Sequence, residues 1–122
     1  MRSRLALACV VMLVGVFLVG GVALAEGFRG TSGPDNITGT EGKDRIWGKG
    51  GDDRLSGRSG ADRIDGGNGA DVMRGGNGDD YIIANDERRD TIYCGDGTDF
   101  VYASPTDVVY YGCETIRIDR SK

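Results

Sequence analysis

The chain has 122 residues, 22 of them glycine, with no histidine and a formal net charge of −4. That length allows one domain at most. The acidic balance excludes nucleic acid and anionic membrane as partners, because both require a basic surface. The lack of histidine removes the commonest general base and a common metal ligand.

The chain opens with Arg2 and Arg4, continues as an apolar run from Leu5 to Leu24, and reaches Ala23-Leu24-Ala25 just before Glu26. A charged n-region, an apolar h-region and an A-x-A site in that order read as a secretory signal peptide over residues 1–25. A run of about 20 apolar residues can also span a bilayer, so an uncleaved N-terminal anchor is the alternative. Either way residues 26–122 are expected outside the cytoplasm. Removing residues 1–25 takes two of the 15 basic residues and none of the 19 acidic ones, which moves the net charge from −4 to −6. Cys9 leaves with the signal. Cys94 and Cys113 then remain as an even pair in an oxidising compartment, where a disulfide is the default.

From Gly30 to Ile83 the sequence falls into rows of nine: GTSGPDNIT, GTEGKDRIW, GKGGDDRLS, GRSGADRID, GGNGADVMR, GGNGDDYII. Four columns hold without a break. The first is Gly30, Gly39, Gly48, Gly57, Gly66 and Gly75; the fourth is Gly33, Gly42, Gly51, Gly60, Gly69 and Gly78. The sixth is Asp35, Asp44, Asp53, Asp62, Asp71 and Asp80, and the eighth is Ile37, Ile46, Leu55, Ile64, Met73 and Ile82. In each row Asp-x-aliphatic-x makes a short strand with the aliphatic inward. The glycine-rich first five residues make a turn that needs φ > 0. Nine residues form half a coil, so row n should stack on row n+2 at the strand spacing of about 4.8 Å. Asp35 then lies over Asp53 and Asp71, and Asp44 over Asp62 and Asp80.

After Ile83 the register slips by one, with Asp90 and Ile92 in the acidic and aliphatic places. The row Cys94-Gly-Asp-Gly-Thr-Asp99-Phe-Val101-Tyr102 recovers the pattern, with Cys at the first-glycine position. From Ala103 the glycine code ends. Pro105 interrupts, residues 107–111 read as a strand and residues 116–118 as a last one. Residues 103–122 are expected to form the C-terminal cap that a solenoid's open end requires, tied to the last repeat by the disulfide. The expected fold is all-β, a right-handed parallel β-roll (β-solenoid) over residues 26–102 with that cap.

Stacked Asp columns place like charges one strand spacing apart, and something must neutralise them. A hard cation that takes six to eight oxygens fits carboxylates combined with turn carbonyls, and calcium accepts such irregular cages more readily than magnesium. Zinc is disfavoured without histidine and with the thiols paired. Because apo stacks repel, metal binding would be folding free energy.

These rows resemble the RTX-type nonapeptides, GGxGxDx-aliphatic-x, of secreted bacterial calcium-binding β-roll proteins, over residues 30–102. The resemblance implies calcium as the bound ion, held between stacked turns by the sixth-position aspartates and turn carbonyls. Carried over, the ligands are Asp35, Asp44, Asp53, Asp62, Asp71 and Asp80, and beyond the register slip Asp90 and Asp99. Only Gly66-Gly67 and Gly75-Gly76 supply the double glycine. Thr31, Thr40, Lys49 and Arg58 replace the second one, so the first four rows are expected to give weaker or empty sites. Export by a C-terminal signal, as in large members, does not carry over to a chain with an N-terminal signal.

Arg45, Arg54 and Arg63 occupy outward positions. A polyanion site competes there with a solvated face paired to Glu41, Asp52 and Asp65, which is the favoured expectation. Tyr81, Ile83, Phe100 and Tyr102 form an outward apolar patch, expected to be covered by residues 103–122 rather than to stack a sugar or a partner. Catalysis is not expected. No Ser or Cys nucleophile has a base, and carboxylates made equivalent by repetition lack the opposed environments that glycoside hydrolysis needs. The expected function is calcium binding coupled to folding outside the cell, as a structural or interaction module. The alternatives are a membrane-anchored surface adhesion module with a protein or glycan partner, and a small secreted hydrolase.

Overall fold

A computed structural model describes residues 26–84, 86–110 and 112–121; the expected signal segment, residues 1–25, lies outside the described residues. Eleven strands follow in order: β1 (Glu26–Arg29), β2 (Asn36–Thr38), β3 (Asp44–Trp47), β4 (Arg54–Ser56), β5 (Arg63–Asp65), β6 (Val72–Arg74), β7 (Tyr81–Ala84), β8 (Thr91–Tyr93), β9 (Phe100–Ala103), β10 (Val108–Val109) and β11 (Thr115–Ile118). Odd and even strands separate into two sheets, β1-β3-β5-β7-β9-β11 and β2-β4-β6-β8-β10. Every pairing is parallel. This is the β-solenoid that the nine-residue period implies, because each row crosses from one sheet to the other.

The register follows the columns. Ile37 pairs with Leu55 and Leu55 with Met73, while Ile46 pairs with Ile64 and Ile64 with Ile82. Past the one-residue slip the stack stays in phase, with Met73 opposite Ile92 and Ile82 opposite Val101. The eighth-position side chains meet between the sheets and form the core together with Phe28, Ile92 and Val101. Burying each contributes roughly 1.5–3 kcal/mol. One inward side chain per nine residues is a thin core, so the stack depends heavily on its turns.

Residues 103–122 add one strand to each sheet: β10 lies beside β8 and β11 beside β9. Cys94 and Cys113 are joined by a disulfide with Cα atoms 5.2 Å apart, which ties the turn after β8 to the turn before β11. Because β11 pairs beside β9, it borders the outward patch at Phe100 and Tyr102 rather than covering the whole of it. Tyr81 is 38% exposed, and its ring stacks on Phe100 at 5.0 Å. Tyr93 and Tyr110 stack likewise on the other sheet at 4.7 Å. In both ladders an arginine covers the next ring face, Arg63 over Tyr81 and Arg74 over Tyr93. Of the three arginines expected to pair with Glu41, Asp52 and Asp65, Arg63 stacks on Tyr81 instead, and among the described residues no ion pair joins Arg45 or Arg54 to those acids. Asp52 and Asp65 accept main-chain N–H groups of Ala70 and Gly67 instead. Among the described residues an ion pair joins two turn residues, Arg58 and Glu41, at 3.7 Å.

Candidate metal centre

The sixth-position aspartates stand where each turn enters its strand, and the parallel register stacks them into two columns. Within a column each Asp N–H donates to the Oδ1 of the next carboxylate. Asp35 donates to Asp53, Asp53 to Asp71 and Asp71 to Asp90, at 2.7–2.8 Å. On the other side Asp44 donates to Asp62, Asp62 to Asp80 and Asp80 to Asp99, at 2.8–2.9 Å. All eight expected ligand residues therefore lie in the two columns. Two acids missed by the sequence reading prolong them: Asp90 donates to Asp107 Oδ1 and Asp99 to Glu114 Oε2. Their signal was weak, because the spacing contracts there from 18 or 19 residues to 17 and 15.

The second carboxylate oxygen is the informative one. The Oδ2 atoms of Asp53, Asp62, Asp71, Asp80, Asp90 and Asp99 are buried and have no hydrogen-bond partner. An uncompensated charge in such a place costs several kcal/mol. Each carboxyl responds as burial dictates. Desolvation, partly offset by the main-chain N–H bonded to Oδ1, pushes Asp53 up to about 6, Asp71 and Asp80 to about 7, and Asp62 and Asp90 to about 8. Asp99 shifts upward for the same reason. Neighbouring carboxylates of the same column add to the rise, as Asp80 and Asp44 do at Asp62.

Around the orphan oxygens of Asp53, Asp62, Asp71 and Asp80 the first-position glycine leaves a small box. A β-carbon on Gly48 would lie 2.5 Å from Asp53 Oδ2 and 2.6 Å from the Gly66 carbonyl oxygen. One on Gly75 would lie 2.5 Å from Asp80 Oδ2 and 2.7 Å from the Cys94 carbonyl oxygen. A carboxylate oxygen of one row and a carbonyl oxygen of the row stacked on it thus face the same space, which only glycine keeps open. Two acceptors turned together call for a cation or a proton. Among the described residues no three acidic or thiol side chains converge on one point, so carbonyl oxygens must supply much of any cation's shell. Hard oxygen donors of this mixed kind suit calcium.

The turns divide into two kinds. In rows three to six the second and fourth positions adopt left-handed backbone, including two side-chain-bearing residues, Lys49 at φ 72° and Arg58 at φ 69°. In rows one and two Thr31, Gly33, Thr40 and Gly42 do not. There the threonine turns back on its own aspartate. Thr40 N–H donates to Asp44 Oδ2 at 2.7 Å and Thr40 Oγ1 to Asp44 Oδ1 at 2.8 Å. Thr31 makes the same pair of bonds to Asp35. The four rows expected to give weaker or empty sites thus differ in backbone: the Lys49 and Arg58 rows keep the turn of the double-glycine rows, and the threonine rows do not.

Residues 29–64, 56–88 and 86–105 match the family model described as RTX calcium-binding nonapeptide repeat (4 copies). No curated protein and no solved structure matches the chain.

Proposed function

Because this chain belongs to the RTX calcium-binding nonapeptide repeat family, whose repeats bind Ca2+, we propose that it is an extracellular module whose roll sets when calcium enters the two aspartate columns. The six buried, unpartnered Oδ2 atoms carry this reading. They are the charges that keep the metal-free stack from closing, and a bound cation turns the same atoms into a source of stability. The proposed ligands are Asp53, Asp62, Asp71, Asp80, Asp90 and Asp99, with turn carbonyls such as those of Gly66 and Cys94 beside them. Extracellular calcium modules bind at about 10⁻⁴–10⁻³ M, so the chain would cross the membrane unfolded and fold outside.

Residues 1–25 serve as the export signal in this reading, on the strength of the Arg2–Arg4 n-region, the apolar run and the Ala23-Leu24-Ala25 site. The module is structural rather than catalytic, since the buried carboxylates are equivalent by repetition and no histidine is present. Far-UV circular dichroism of the purified, oxidised protein, titrated with calcium and separately with magnesium, tests the reading. A cooperative transition to β structure with calcium alone supports it. A chain that stays coil in millimolar calcium contradicts it.

A further inference from the structure

We infer that calcium occupancy stops short of both ends of the roll, because the hydroxyl groups of Thr31, Thr40 and Ser104 take the cation's place at Asp35, Asp44 and Asp107. The inference rests on the calcium reading above and assigns which carboxylates of the columns stay metal-free.

Three observations converge. First, unpartnered buried Oδ2 atoms occur at six column positions from Asp53 to Asp99, and Asp35, Asp44 and Asp107 are not among them. Second, the partners that satisfy these three come from the same device. Thr31 and Thr40 donate both N–H and Oγ1 to the aspartate four residues later. Ser104 donates its N–H at 2.7 Å and its Oγ at 2.9 Å to Asp107 Oδ2. A carboxylate that accepts two or three such bonds has the donors that a cation would otherwise replace. Third, the capped turns at the first end have a different backbone. Thr40 Oγ1 also accepts the Gly42 N–H at 3.1 Å, and Thr31 Oγ1 that of Gly33 at 3.1 Å. These bonds hold the fourth-position glycine out of the left-handed conformation seen at Gly51, Gly60, Gly69 and Gly78. In row five, by contrast, the second-position N–H of Gly67 turns outward to Asp65 and leaves Asp71 Oδ2 bare.

The first-end turns still face a carbonyl of the stacked row, that of Gly48 beside Asp35 and that of Gly57 beside Asp44. What sets them apart is the hydroxyl cap, which satisfies the carboxylate from within its own turn. At the remaining end of the columns Glu114, an exposed residue, takes the place of the buried aspartate.

Calcium stoichiometry of the whole chain, measured by titration calorimetry, tests the assignment. The Asp35→Asn/Asp44→Asn double variant is expected to bind as many ions per chain as the parent. Asp53→Asn/Asp62→Asn is expected to bind fewer. Thr31→Gly/Thr40→Gly, which restores the second-position glycine and removes both caps, is expected to bind more. The assignment is overturned if Asp35→Asn/Asp44→Asn loses ions as Asp53→Asn/Asp62→Asn does, or if a folded Thr31→Gly/Thr40→Gly gains none. Should that last variant fail to fold in calcium, the two asparagine variants decide alone. A parent chain that binds no calcium overturns the calcium reading itself, a result distinct from either.

Discussion

The turns at Thr40 and at Arg58 stand one above the other in the same column and share glycine at positions one and four, yet they handle their aspartates in opposite ways. At Asp44 both carboxylate oxygens accept bonds from Thr40. At Asp62 one oxygen accepts the Asp44 N–H and the other is buried with no partner. A second-position threonine thus closes the turn on itself, whereas Arg58 enters left-handed backbone and leaves the carboxylate open. What differs between the ends and the interior is therefore whether the turn satisfies its own carboxylate. N–H and O–H dipoles do so at Thr40, and at Asp62 an oxygen stays open, for which we propose an external cation.

The widest break in that comparison comes from pH in the absence of metal. The interior aspartates have folded values raised from 3.8 to about 6–8, so the metal-free roll binds more protons than the unfolded chain. Its stability is greatest below the unfolded value of 3.8 and falls as pH rises through the folded values. With chelator present, circular dichroism should show β structure being lost between about pH 4 and pH 8, and the stabilisation due to calcium should grow over the same window. Insensitivity to pH there would mean that the open carboxylates are compensated in some other way.

Next in size is Asp62→Asn. Loss of an ion present at 100 times its dissociation constant costs about 2.7 kcal/mol. Denaturant unfolding in calcium should show that loss, and it should deepen as calcium is raised. Thr40→Val removes a donor to a carboxylate and should cost about 1.5 kcal/mol. That cost should be the same at any two saturating calcium concentrations, because no ion is involved. A Thr40→Val deficit that tracked calcium would place an ion at the capped turn. Smallest is Arg58→Gly, expected to raise the unfolding midpoint by the equivalent of about 1 kcal/mol, since a left-handed φ of 69° strains a residue with a β-carbon. Thr40→Gly should show no such relief, because Thr40 is not in that region.

Much of this fold can be read from the rows. The four columns predict the two sheets, the pairing of each row with the next but one, and the inward aliphatics; even the slip after Ile83 leaves Met73 opposite Ile92. The disulfide between Cys94 and Cys113 is expected from their being an even pair, and the structure forms it. The ends are harder to read because they depart from the period. Asp107 and Glu114 extend the columns at contracted spacing, and Glu114 does so with a different side chain. Thr31 and Thr40 look like plain losses of a glycine, as Lys49 and Arg58 do, until hydrogen bonding separates them. A hydroxyl can reach back to a carboxylate four residues on, and a lysine or arginine stem cannot do so from left-handed backbone. The outward aromatics were legible as a patch but not as ladders, because stacking along the roll axis depends on ring orientation rather than on position.

The most direct single measurement is a crystal structure of the protein grown with calcium, or with terbium in its place, and phased on the anomalous signal of the ion. Peaks beside the Oδ2 atoms of Asp62 and Asp71, with none at Asp35 or Asp44, are what the account predicts. Peaks of equal height at Asp44 and Asp62 would contradict the division between capped and open turns, and columns without any peak would contradict calcium as the ion that completes the roll.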